Sequence, residues 1–212
     1  MNRFAVIDSE GNIFKKDKLD SSLIIAEVSV AIFIKTNNKF ELKAAHSYRL
    51  DYDLRELNKY NNFRIQFRYL TKHFYPTFKN KLYVNNGNNP SKIRSTILNL
   101  IGKYNCNDLI FAKGNYQESV WLYYPECCDG NFGLIPKNIL RINELEDYRI
   151  PKYDDILDSD KTKMLEYFIN KINSSSESDF IFKPREIEHY KYDYHYSLYE
   201  ILVFGQLLIN LL

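Results

Sequence analysis

Residues 4–12 read FAVIDSEGN: four apolar residues, an Asp and a Glu two apart, then Gly and Asn. The apolar run has the length of a buried strand, and the polar residues after it read as an acidic turn leaving the core. Residues 23–35 (LIIAEVSVAIFIK) are rich in β-branched side chains and read as a long second strand. Thr36-Asn37-Asn38-Lys39 supplies turn chemistry, and residues 40–50 follow as a third strand. The second and third strands therefore form a hairpin.

Beyond this all-strand opening the pattern changes. Residues 54–74 are apolar and aromatic without a clean period; they read as one or two helices ended by Pro76. Pro90 suits the first turn of a helix, and Ile93, Ile97, Leu98, Ile101 and Tyr104 recur at helical spacing. Residues 108–112 (DLIFA) have the continuous apolar character of a buried parallel strand. A helix over 115–124 stops at Pro125, and 139–142 reads as a short strand. Residues 161–172 read as an amphipathic helix and 174–178 (SSSES) as a loop. The apolar run 198–212 is interrupted by Glu200, Gln206 and Asn210. A membrane span needs about 20 apolar residues, so a buried terminal helix is the better reading. Strands followed by alternating helix and strand predict an α/β fold, a mixed central sheet flanked by helices, in one domain over 1–212. Ligands of such sheets gather at the carboxyl ends of strands, which is where the acids of 8–10 fall.

Composition narrows the function classes. With 45% hydrophobic and 26% charged residues, the chain is neither collagenous, low-complexity nor disordered. A net charge of +2 gives no strong global field, so a nucleic-acid partner must be met by a local patch. Three cysteines, two of them adjacent, cannot build a disulfide framework and suit a reducing, intracellular compartment. Their spacing does not complete a zinc site. The first residues run straight into an apolar strand, without the features of a secretory signal. The 16% aromatic content, with abundant Asn, Lys and Ile, is the bias of an AT-rich coding sequence. Basic residues cluster in 14–18 (FKKDK), read as a solvated loop that could also meet a phosphate backbone.

Asp8 and Glu10 are the first candidate chemistry. Alternation along an extended chain puts both carboxylates on one side, where they repel unless a hard cation such as Mg²⁺ or Mn²⁺ lies between them. Two further stretches bear on the same chemistry. Residues 108–122 (DLIFAKGNYQESVWL) read as a strand, a Gly turn and a helix carrying Glu118, with Trp121 and Leu122 three and four later. Residues 193–200 (DYHYSLYE) place His195 five positions and Tyr196 four positions before Glu200. Ser197-x-x-Glu200 is also a capping-box pattern opening the last helix.

Taken in order, these three stretches resemble the motifs of the DEDD 3′–5′ exonucleases of the ribonuclease H-like superfamily. Ala112 matches the Ala of the family's second motif, Glu118 takes its Asp position, and Trp121 and Leu122 match its bulky pair. Lys113, Gly114 and Gln117 replace the usual His, Asn and aromatic residue. The third stretch fits both the subgroup with a His five before the last acid and the sister group with a Tyr four before it. The Lys113-Gly114 and His195-x-x-x-x-Glu200 variants are similar to members from large insect-infecting DNA viruses.

The resemblance implies a ribonuclease H-like sheet. It also implies hydrolysis of terminal phosphodiesters of DNA or RNA by a two-metal mechanism. Asp8, Glu10, Glu118 and Glu200 would hold two Mg²⁺ or Mn²⁺ ions ~3.5–4 Å apart. His195 is preferred to Tyr196 as the base, because an imidazole with a pKa of ~6.5 takes a proton near neutrality. Lys113 would neutralise a phosphate oxygen, and Tyr116, Tyr194 and Tyr196 would stack on terminal bases of a single-stranded 3′ end. Glu for Asp at 118 and 200 adds a methylene to each carboxylate. That departure supports an alternative, a catalytically inactive relative that keeps the fold as a nucleic-acid-binding or protein-interaction module.

Overall fold

The structure is a computed structural model that describes residues 1–15, 21–50, 89–107, 109–112, 116–123, 139–141, 155–174, 180–181 and 197–212. Three strands open it: β1 (Arg3–Lys15), β2 (Ser21–Thr36) and β3 (Lys39–Arg49). Helix α1 (Pro90–Lys103), strand β4 (Ile110–Ala112), helix α2 (Tyr116–Tyr123) and strand β5 (Ile139–Arg141) follow. Helix α3 (Asp158–Asn173), the two-residue strand β6 (Phe180–Ile181) and helix α4 (Ser197–Leu211) complete the described elements. The sheet has the order β5-β4-β1-β2-β3-β6. β2 runs antiparallel to both neighbours, while β1/β4, β4/β5 and β3/β6 are parallel. The chain is thus α/β with a mixed sheet flanked by helices.

Local chemistry explains most of these elements. Asn37 and Asn38 have φ of 51° and 61°, between paired Thr36 and Lys39. Two consecutive left-handed residues match the twist of a tight hairpin, and Asn tolerates that region better than most residues. Asn89 Oδ1 accepts from the amides of Ser91 and Lys92, and Pro90 takes the first helical position of α1. Asn105, with φ 54°, lets the chain turn back after α1.

β1 corrects one expectation. Asp8, Ser9, Glu10, Gly11 and Asn12 do not turn out of the core; they stay in the strand, paired with β2 through Lys15. The ladder with β2 outweighs the turn preference of Gly and Asn. Phe14 and Lys15 are likewise strand residues, and the rest of the basic run lies outside the described residues, as do the helices expected over 54–74. β6 adds a strand that the sequence reading did not contain.

Alternation along β1 feeds two cores. Phe4 and Val6 point to one face with Phe33, Phe111, Phe168 of α3 and Phe204 of α4. Ala5 and Ile7 point to the other, with α1 and with Trp121 and Leu122 of α2. Phe4 stacks on Phe33 with centroids 5.0 Å apart and meets Phe111 edge-on at 5.8 Å. At roughly 1.5–3 kcal/mol per fully buried Phe, this cluster is a main source of stability on the α3/α4 face. Among the described residues, Phe4, Phe33, Phe111, Phe168 and Phe204 are thus core. α4 crosses β2 so closely that a Cβ on Gly205 would overlap the Phe33 ring. Among the described residues, no helix is long and apolar enough to cross a membrane.

Candidate metal centre

The face assignments of β1 continue into its acids. Asp8 and Glu10 follow Phe4 and Val6 onto the α3/α4 face, and Glu200 comes down on them from the first turn of α4. Asp8, Glu10 and Glu200 each offer a carboxylate oxygen, and these oxygens lie within 4.8 Å of one another. Asp8 and Glu200 are buried, and Glu10 is partly so. An all-oxygen set of close, desolvated carboxylates fits a hard divalent cation such as Mg²⁺ or Mn²⁺, whose charge offsets their mutual repulsion. The cluster could hold a metal ion.

Glu118 arrives from the opposite face. β4 pairs with β1 as far as Ala112 opposite Ile7, and among the described residues the β4-side edge of β1 has no strand partner beyond that point. α2 begins there and supplies side chains in place of a strand. Gln117 Nε2 donates to the Ser9 carbonyl at 2.7 Å and to Ser9 Oγ at 3.0 Å. Ser9 Oγ in turn donates to Glu118 Oε1 at 2.7 Å. Glu118 is 3% exposed, so it is not the solvated helix acid that its isolated sequence context would favour. Its Oε2 has no hydrogen-bond partner among the described residues. Burial pushes the Glu118 pKa up against the lowering effect of the Ser9 bond, and the nearby charge of Glu200 adds to the rise. Glu118 thus stands beside the triad of Asp8, Glu10 and Glu200 but outside it.

Two neighbours of the triad were not anticipated. Glu27 and Ser29 of β2 lie opposite Glu10 and Asp8 in the ladder and are fully buried. Glu27 Oε1 accepts from the Ser197 amide at 3.2 Å and from Ser197 Oγ at 2.6 Å; Ser29 Oγ lies 2.7 Å from Ser197 Oγ. The hydroxyl read as a capping box toward Glu200 therefore faces the sheet instead. A signal was present, since Glu27 is the one acid in the largely apolar stretch 23–34, and a buried charge needs a partner.

Lys113, Tyr194, His195 and Tyr196 lie outside the described residues; Tyr116 opens α2, but its side chain is not among those described. No protein-family model matches this sequence, and no curated protein matches it either.

Proposed function

We propose that the chain is a divalent-metal-dependent 3′–5′ exonuclease with a ribonuclease H-like sheet, hydrolysing terminal phosphodiesters of DNA or RNA. One observation carries this reading: Asp8 and Glu10 from the first strand and Glu200 from the last helix bring carboxylate oxygens within 4.8 Å of one another. The mixed sheet, with these acids on its first strand and Glu118 on the helix after β4, supports the same reading.

In this proposal Asp8, Glu10 and Glu200, joined by Glu118, hold the metal ions. When bound, two such ions supply an activated water and charge stabilisation of the leaving oxygen. The chain's own residues do the rest. His195 takes the proton of the attacking water, with Tyr196 the other candidate; Lys113 neutralises a phosphate oxygen; Tyr116 and Tyr196 stack on bases of a single-stranded 3′ end. The test is incubation of end-labelled single-stranded DNA and RNA with Mg²⁺ or Mn²⁺, against a chelator control and a Glu10→Gln variant. Metal-dependent shortening by wild type alone supports the proposal, and no shortening under any condition removes it.

A second reading has an observation of its own. Glu118 gives one oxygen to Ser9 and stands outside the triad, which suits a protein that keeps the fold as a binding module without hydrolysis. Divalent-ion binding without strand degradation would favour it.

A further inference from the structure

We infer that Glu27 is a positioning residue of the metal centre, holding the first turn of α4 on the sheet so that Glu200 stands over Asp8 and Glu10. The inference rests on the metal-dependent reading above and deepens it, because it says what sets the geometry of the last carboxylate.

Between Glu10/Glu27 and Gly11/Ile25 the β1/β2 register shifts, leaving Ala26 as an extra residue. The bulge breaks alternation: Ile25 and Val28 both enter the α1/α2 core, while Glu27 faces α4. A carboxylate with no solvent exposure is costly unless hydrogen bonds replace its water, and Glu27 Oε1 receives two from Ser197. One of these satisfies a first-turn amide that has no partner within its own helix, and the carboxylate lies at the positive end of α4. Ser29 Oγ touches the same hydroxyl, so the β2 partners of both Asp8 and Glu10 grip Ser197. Glu200 follows Ser197 by three residues, less than one helical turn. The apolar side of α4 seats the helix on the sheet, and the Glu27 contact sets where its first turn, and with it Glu200, stands above Asp8 and Glu10.

The experiment is calorimetric titration of Mn²⁺ into the full chain, with circular dichroism reporting that each variant is folded. Glu27→Gln keeps an oxygen that can accept both Ser197 donors but removes the charge; Glu27→Ala removes the acceptor. Partners of metal ligands typically contribute about 10–100-fold to affinity, so Glu27→Ala should weaken Mn²⁺ binding by that order while Glu27→Gln stays within about threefold of wild type. Adding Glu200→Gln should cost much less in the Glu27→Ala background than in wild type, a non-additivity that a merely structural role would not produce. Ser197→Ala, which leaves every carboxylate in place, should also weaken binding and serves if Glu27→Ala does not fold. Wild-type affinity in Glu27→Ala or Ser197→Ala would overturn the inference. Equal losses in Glu27→Gln and Glu27→Ala would overturn it too, marking Glu27 as a direct ligand. If wild type itself binds no Mn²⁺, the metal-centre reading falls and this inference with it.

Discussion

Ser9 Oγ donates to Glu118 Oε1 at 2.7 Å, joining the strand that carries two candidate ligands to the helix that carries a third acid. The bond lies past the last described β1/β4 pair; there Gln117 of α2 takes up the Ser9 carbonyl and Glu118 takes up the Ser9 hydroxyl. Removing the hydroxyl should be felt. Ser9→Ala leaves a buried carboxylate short of its donor, and urea unfolding of the metal-free protein should show a loss of about 1–3 kcal/mol. Stability equal to wild type would mean that water replaces the hydroxyl without cost.

The raised pKa of Glu118 makes a second prediction with a definite sign. A carboxyl whose folded-state pKa lies above its ordinary value of 4.5 binds its proton more tightly in the native state than in the unfolded one. Its contribution is then fully present below that ordinary value and is lost as pH rises through the folded-state pKa. In a chelator, Glu118→Gln should therefore gain stability over wild type as pH increases from the acidic range toward neutrality, with the difference vanishing at low pH. Denaturation midpoints measured across that range check it, and a difference that grows toward low pH contradicts it.

Gly205 and Phe33 give a packing test. Because a Cβ on Gly205 would overlap the Phe33 ring, Gly205→Ala should cost about 1–3 kcal/mol, the usual range for overpacking a tight core. Phe33→Leu in the same chain should recover part of that loss relative to the sum of the single changes. Strict additivity would show that α4 shifts instead of colliding.

Cys106 offers a further check. Burial, only partly opposed by Arg3, pushes its thiol up to about 11. Since the thiolate is the reactive form, Cys106 should resist alkylation at pH 8 in the folded protein and react freely in denaturant. Mass-spectrometric mapping of labelled peptides reads this directly, and fast labelling in the native state would contradict the burial.

How much of this was legible in the sequence differs by residue. β2 and the β2/β3 hairpin follow from β-branched runs around Asn37-Asn38, because burial and turn chemistry there point the same way. Asp8 and Glu10 were legible as a same-side pair, since period two holds whether a turn or a strand contains them. The length of β1 was not, because Gly11 and Asn12 carry local turn preferences that pairing with β2 overrides. β6 has two residues, too short for any periodicity. Glu27 is not legible as a site residue, because a single acid in a largely apolar run reads as an interruption until the bulge at Ala26 shows where it points. Gln117 reads in the sequence as a departure from a family motif, whereas its amide takes up the Ser9 carbonyl past the last described β1/β4 pair.

Metal should stabilise the fold by mass action. Mg²⁺ or Mn²⁺ at 100 times its dissociation constant adds about 2.7 kcal/mol to a protein that binds it only when folded. Wild type should therefore melt at a higher temperature with millimolar-scale Mn²⁺ than with chelator, and Asp8→Asn and Glu10→Gln should lose most of that shift. A shift retained in both variants would place the binding elsewhere.

The most direct measurement is anomalous diffraction at the manganese edge from crystals grown with Mn²⁺. A peak within coordination distance of Asp8, Glu10 and Glu200 is the expected result, with Glu118 turned toward the same ion. Manganese bound only at other sites, or no peak at a concentration that saturates ordinary carboxylate centres, would show that these three acids converge without serving a metal.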